Sequence, residues 1–370
     1  MRALASVDLT AIEHNVALLA SKAPAAQLCA VVKADGYGHG GTQSATAAIN
    51  GGASWLAVAT AIEAQKLRAD GIEEPILVMG ALTDSELEVA LAARSDVVAW
   101  SEYFLTKVIA LGGGRVHIKF DSGMGRLGTR DRGLASALAA RAENDPCVQL
   151  IGLMTQFATA DQVDDKFFAE QLEAFTEWSD PIVSATPGLI RHAANSAALL
   201  SEPASHFDLV RPGVACYGLD PFGIDPAAQG LEPALRLESY VACAERCDTG
   251  QSAGYSRTFI ADQPTVIGTV PIGYADGWKH AFSNNAEVLI GGSRFAVVGN
   301  VSMDNITVDL GADGGGVELG ERVTLIGADG ADRILSEQLA GAARTINYEI
   351  VTSIGPRVER QYVRSESGVQ

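Results

Sequence analysis

Eight short apolar runs, at residues 28–32, 55–59, 75–79, 96–100, 115–120, 148–154, 189–192 and 207–210, alternate with helix-period segments through the first two thirds of the chain. Runs that are apolar throughout, rather than at every second position, belong to strands buried on both faces. Segment 83–94 (Thr-Asp-Ser-Glu-Leu-Glu-Val-Ala-Leu-Ala-Ala-Arg) shows what lies between them: Thr or Ser followed by acids opens a helix, and Arg closes it. Strand then helix, eight times over about 200 residues, predicts an α/β fold of the (β/α)8 TIM barrel kind. Past residue 231 the helical period nearly vanishes. Segments 240–247, 265–271, 286–290, 294–298, 306–310 and 322–326 read as strands separated by Gly, Asp and Asn turns. The expected organisation is a barrel over 1–231 and a C-terminal, mostly β domain over 232–370, with residues 1–10 a candidate to pair with the latter. Residues 311–316 read as a turn-rich loop and those after 363 as a frayed tail.

Charge narrows the function classes. With 45 acidic against 27 basic residues the balance is −18, so nucleic acid and anionic membranes are not expected partners. A small anionic ligand is still admissible, because a few arginines make a cleft locally positive. No window of 18 uncharged apolar residues and no signal-peptide core occur, so a soluble, cytoplasmic protein is expected. The five cysteines are odd in number and none forms a Cys-x-x-Cys pair, which predicts neither disulfides nor a metal site. Cys243 and Cys247 read as small core hydrophobes.

Reactive groups of α/β barrels sit just after the strands. The first strand is followed by Lys33 and a glycine-rich loop, Asp35 to Gly41, that contains Tyr37. A lysine there is either kept neutral by burial, as a Schiff-base lysine requires, or snorkels out of the barrel mouth. The seventh strand ends in His192-Ala-Ala-Asn195-Ser196 and the eighth in Arg211-Pro-Gly213-Val214. Loops after strands seven and eight commonly hold phosphate, so Ser196 is either a phosphate ligand or a helix N-cap. The fifth strand closes with Lys119-Phe-Asp121-Ser-Gly-Met-Gly-Arg126-Leu-Gly, a glycine-rich turn carrying two cations. In the β domain Tyr255 and Tyr274 stand in Gly-Tyr contexts, where a tyrosine either does chemistry or packs at a rim.

Val-Val-Lys33-Ala-Asp-Gly-Tyr37-Gly-His-Gly resembles the pyridoxal-phosphate (PLP) attachment signature of bacterial alanine racemases. The Lys119–Arg126 segment, Ala-Asn-Ser196-Ala, Arg211-Pro-Gly-Val, Ile-Gly-Tyr274-Ala-Asp-Gly, Val-Ser-Met303-Asp304 and Tyr348-Glu-Ile-Val-Thr follow in the family's order. The resemblance implies a PLP enzyme that interconverts L- and D-alanine with two bases, working as a homodimer with shared active sites. Lys33 would bind the cofactor and act as one acid/base, and Tyr255 of the other subunit would be the second base, on the opposite face of Cα. Tyr37, Ser196, the Gly213 and Val214 amides and Tyr348 would hold phosphate, and Arg211 would face the pyridine nitrogen. Arg126, facing the phenolic oxygen, and the Met303 amide of the second subunit, on the substrate carboxylate, would bind substrate, with Gln156, Tyr274 and Asp304 in support. Lys119 resembles the lysine that the family carries as a carbamate. No metal is implied. A racemase for serine or another amino acid, or a catalytically impaired PLP-binding protein, are the alternatives; Arg211 argues against the PLP decarboxylases of similar architecture, which place an acid there.

Four positions depart from the family pattern. Gln156 replaces the usual histidine that links the tyrosine base to the pyridine arginine, and an amide cannot titrate. Asp35 stands where asparagine is common, Ser256 follows Tyr255 where glycine is usual, and the terminal Arg-x-Pro-Arg reads Arg357-Val-Glu359-Arg360, a change expected to be a neutral surface one.

Overall fold

A computed structural model describes residues 2–162 and 165–365. The eight apolar runs are the strands Gln27–Val31, Trp55–Val58, Ile76–Val78, Asp96–Ala99, Gly114–Lys119, Val148–Met154, Ile190–His192 and Leu209–Val210. Each pairs in parallel with the next as far as the seventh, for example Cys29 opposite Trp55 and Val97 opposite Val116. The first also pairs with the eighth, Leu28 opposite Val210. Between the seventh and eighth, the Asp208 amide donates to the Arg191 carbonyl at 3.1 Å and the Arg211 amide to the Ala194 carbonyl at 2.8 Å, which closes the barrel. Leu56, Ala57, Val58, Ile76, Leu77 and Val78 have no exposed surface, as strands covered on both faces require.

Local signals place the helices. Ala61–Ala69 and Asp84–Ala92 both open with a capping box, Thr60 with Glu63 and Thr83 with Glu86. The second of these stops at Ala92, short of the closing arginine, and Arg94 lies beyond it at φ 53°.

Two compact units emerge among the described residues: Ile12–Gly36 with Gly40–Cys216, and residues 2–11 with Tyr37–His39 and 217–365. The second unit is built on a ten-stranded sheet. Leu4–Asp8 lies within it, antiparallel to Leu235–Tyr240 and parallel to Glu359–Val363, with Ala5 opposite both Leu237 and Arg360. The segment 240–247 is not one strand. The chain changes neighbours at Val241 and Ala242, so Leu235–Tyr240 pairs with Arg322–Asp329 while Cys243–Cys247 pairs with Thr265–Val270. Trp278, Phe282, Val288, Val323, Leu325 and Ile350 pack in its core, and two short helices, Ser336–Ala343 and Asn347–Thr352, follow the last hairpin. Gly314–Gly316 forms a turn of 3-10 helix inside the expected loop, and of the expected frayed tail residues 366–370 lie outside the described residues.

All five cysteines are free; Cys247 is buried and Cys243 half-buried. Among the described residues no helix is long and apolar enough to cross a membrane, and no cluster of three or more His, Cys, Asp or Glu could hold a metal ion. Leu325 is fully buried in the sheet unit. Leu325→Ala should lower stability by about 2–5 kcal/mol through lost burial and the cavity left behind, read from the urea midpoint of the sheet unit's unfolding.

Candidate active site

Lys33 follows the first barrel strand and Arg211 the eighth, and these strands are paired; the Val31 amide donates to the Pro212 carbonyl at 2.9 Å. Lys33 is half-buried. Desolvation first, then the positive charge of Arg126, pull its amine below the usual lysine range, while Glu63 works the other way. The backbone leaving Lys33 is unusual: Ala34, Asp35, Gly36, Tyr37 and Gly38 have φ of 53°, 53°, 61°, 53° and 81°, five consecutive residues in the left-handed region. Such residues other than glycine cost about 1–2 kcal/mol each. The Asp35 carboxylate, accepting from the Gly41 amide at 2.7 Å, ties the loop back on itself. A Cβ at Gly36 would lie 2.7 Å from the Ser44 hydroxyl, so the third of these positions requires glycine for space as well as for φ.

Arg211 is 3% exposed and makes its contacts without a carboxylate. One guanidinium nitrogen donates to Nδ1 of His192 at 2.8 Å; the other donates to the carbonyls of Thr155 at 2.9 Å and Ala193 at 3.0 Å and to the Gln156 side-chain oxygen at 3.1 Å. Burial brings it down to about 10, still far above neutrality, so it stays charged. An arginine only donates, which fixes every tautomer behind it. His192 must accept at Nδ1, so its Nε2 carries the proton and donates to Nδ1 of His117 at 2.9 Å; His117 in turn donates from Nε2 to Asp96 at 3.0 Å. Arg115 donates to the same carboxylate at 2.6 and 3.1 Å. Burial, with Arg211, holds His192 well below the usual histidine range, in agreement with its accepting role. Burial opposes ionisation of Asp96, yet the hydrogen bonds it accepts from His117 and Arg115, with the charge of Arg115, outweigh it and hold the carboxyl below its ordinary value.

The loop after the fifth strand is organised by Asp121, whose carboxylate accepts from the Gly123 and Gly125 amides at 3.0–3.1 Å and from Arg130 at 3.2 Å. It presents Arg126 at the surface, and buried Lys119 precedes it. Desolvation, Arg211 and Arg126 bring the Lys119 amine down to about 8. Ser196 is not the cap of its helix. Asn195 takes that role, accepting from the Ala198 amide at 3.0 Å, and the Ser196 hydroxyl instead accepts from the Gly213 and Ala215 amides at 2.9 and 3.3 Å. The first unit thus gathers Lys33, Lys119, Arg126, Gln156, Ser196, Arg211, Gly213 and Val214 at the carboxyl ends of its strands.

In the second unit the Tyr37 ring lies 5.1 Å from that of Tyr217 and 6.1 Å from that of Tyr348, so the two tyrosines read as phosphate ligands are neighbours. Tyr255, Tyr274 and Met303 are 72%, 46% and 51% exposed. Tyr255 stands on a tight turn in which Ser256 and Arg257 have φ of 60° and 51°, which explains the family's glycine after the tyrosine. The Tyr274 and Ala275 amides donate to the Ser302 and Met303 carbonyls at 3.0 Å, and a Cβ on Gly273 would lie 2.3 Å from the Ser302 oxygen. Arg357 bridges these two loops, 3.3 Å from Asp276 and 2.6 Å from Asp304, whereas Glu359 is exposed.

Asp96, His117, His192, Asn195 and Glu63 were not singled out for roles by sequence reasoning. His117 and His192 interrupt apolar runs of the fifth and seventh strands, and that was the available signal.

Residues 7–221 match the family model "Alanine racemase, N-terminal domain" and residues 234–362 match "Alanine racemase, C-terminal domain". An alanine racemase of Thermobifida fusca is 41% identical over 369 residues, covering 97% of each chain. The crystal structure of an alanine racemase from a D-cycloserine-producing Streptomyces lavendulae aligns with TM-score 0.93 and 34% identity over 99% of this chain and 98% of that one. That of Bartonella henselae, with covalently bound pyridoxal phosphate, aligns with TM-score 0.87 and 29% identity over 98% of this chain and 100% of that one.

Because the Asp96 carboxyl titrates lower folded than unfolded, its contribution is complete above the unfolded value of about 3.9 and fades as pH falls through the folded one. Asp96→Asn should therefore be less stable than the parent by roughly 3 kcal/mol at pH 7. The gap should narrow below pH 4 in urea titrations; a gap independent of pH would contradict the ionised relay.

Proposed function

Because the chain belongs to the alanine racemase family, we propose that it interconverts L- and D-alanine, using bound PLP and active sites shared between two copies. The donor set fits that group: an amine, a buried arginine, hydroxyls and backbone amides make a site for an anionic aldehyde. Lys33 is the attachment point. Tyr37, Tyr348, Ser196 and the Gly213 and Val214 amides are the groups assigned to its phosphate. When bound, the cofactor withdraws the electron pair left at Cα, which no side chain alone can stabilise.

The chain's own residues do the rest. Inversion needs a base on each face of Cα, so Lys33 exchanges a proton on one side and Tyr255 of the partner subunit on the other. Arg126 and the partner's Met303 amide bind the substrate, the Met303 amide taking its carboxylate. Arg211 offers a ring nitrogen a hydrogen bond and no labile proton, which keeps the electron sink weak and limits side reactions. Gln156, accepting from Arg211, keeps an amide N–H₂ for the partner's Tyr255, a link that orients without titrating. Lys119 is free base in part near neutrality. Combining with carbon dioxide and losing a proton, its nitrogen becomes a carbamate anion between Arg126 and Arg211, which exchanges a repulsion for an attraction.

The observation that carries this reading is the pairing of a lysine with a lowered affinity for its proton and a buried, charged arginine at the ends of two hydrogen-bonded barrel strands. Purified protein should be yellow, and Lys33→Ala colourless and inactive. Tyr255→Phe should slow Cα hydrogen exchange from one enantiomer far more than from the other. Mixing the two inactive variants under subunit exchange should restore about a quarter of parental activity, since half the dimers then carry one intact site of two. No recovery, or equal losses for both enantiomers, would refute shared two-base sites. With ¹³C-bicarbonate, a carbamate carbon should appear in the NMR spectrum and be absent in Lys119→Ala.

A further inference from the structure

Glu63 has no part in the assignments above, yet its carboxylate holds three backbone amides. As the third residue of helix Ala61–Ala69 it completes the capping box with Thr60, accepting from the Thr60 amide at 3.0 Å while its own amide donates to the Thr60 hydroxyl at 3.2 Å. A capping box requires no more than this. The same Oε2 also accepts from the Ala59 amide at 2.9 Å, just past the second barrel strand. Oε1 reaches across to the Ala34 amide at 2.6 Å, the peptide that leaves Lys33 and opens the left-handed turn.

That turn needs holding. Ala34, Asp35 and Tyr37 sit at φ 53°, and backbone of this kind persists only where its surroundings over-determine it. At the far end the Asp35 carboxylate and carbonyl take the Gly41 and Gly40 amides at 2.7 and 2.8 Å. At the near end the Gly36 amide donates to the Val32 carbonyl at 2.9 Å, and the bond next to Lys33 itself is the one from Ala34 to Glu63.

We propose that Glu63 is a positioning residue for Lys33: its carboxylate fastens the strained turn to the end of the second strand, and so sets the direction from which the lysine amine meets the substrate. The inference rests on the assignment of Lys33 as one of the two bases. A second effect follows from the charge. Two charged groups act on the Lys33 amine, Arg126 from the loop after the fifth strand and Glu63. The arginine and burial favour the neutral amine, and Glu63 opposes them, keeping the amine able to return a proton as well as take one.

The test uses full-length holoenzyme and three variants. Glu63→Gln keeps the length and loses the charge; Glu63→Asp keeps the charge and loses the reach; Thr60→Ala removes the cap hydroxyl and leaves the carboxylate. In Glu63→Gln, Cα hydrogen exchange should fall tenfold or more for the enantiomer that Tyr255→Phe spares, and much less for the other. The pH limb assigned to Lys33 should move down by roughly half a unit or more. Visible circular dichroism of the bound cofactor, which reads its seating without turnover, should change in Glu63→Gln and Glu63→Asp. Thr60→Ala should lower the melting temperature alone. Exchange that falls equally for both enantiomers, with pH limb and dichroism unmoved, would overturn the proposal, and if Glu63→Gln does not fold the same judgement passes to the exchange ratio and dichroism of Glu63→Asp. A parent protein with no bound chromophore would instead refute the function itself.

Discussion

Arg211 is a permanent cation in a place water does not reach, and much of the barrel mouth is arranged by what that demands. A buried charge is tolerated only when its hydrogen bonds are complete and some counter-charge is within reach. Here the bonds go to two carbonyls, an amide and an imidazole, and the counter-charge, Asp96, stands two histidine rings away. The fourth, fifth, seventh and eighth strands are thereby joined through one polar thread inside an otherwise apolar cylinder. Its direction is one-way, because the arginine at one end only donates and the carboxylate at the other only accepts. The Arg211 guanidinium is thus aimed by groups distributed around the barrel.

Backbone strain gathers beside the two side chains proposed as bases. Lys33 is followed by five left-handed residues and Tyr255 by two. Both side chains stand beside residues whose conformation an isolated peptide would avoid, and both turns are braced from outside. Glu63 and Asp35 hold the first; at the second, Gly254 at φ 76° lies against Asn300, where a Cβ would come within 3.1 Å of its amide. Rigid, costly turns position a short list of atoms better than relaxed loops do.

The barrel was legible because strands covered on both faces leave a pattern that survives in one dimension, and all eight runs are strands within a residue or two of their expected limits. The sheet unit was less so. Leu235–Tyr240 and Cys243–Cys247 look continuous in sequence, and what separates them is a change of partner at Val241, which no local pattern records. Candidate residues carried by glycine-rich motifs after strands stand out in one dimension; the relay does not, since a histidine inside an apolar run betrays itself only when its partners, 21 and 75 residues away, are known. Glu63 was concealed differently. It satisfies a helix-capping pattern so well that nothing invites a second explanation.

The strand Leu4–Asp8 is sandwiched between Leu235–Tyr240 and Glu359–Val363. During synthesis it leaves the ribosome early, and its first neighbour follows only after the whole barrel has been translated, its second more than a hundred residues later still. For that interval its amides and carbonyls are an open edge, available to any other nascent segment in the cell. The second of those neighbours begins at Glu359, 149 residues after the eighth barrel strand ends at Val210, so the rate of translation sets the shortest time that Leu4–Asp8 waits.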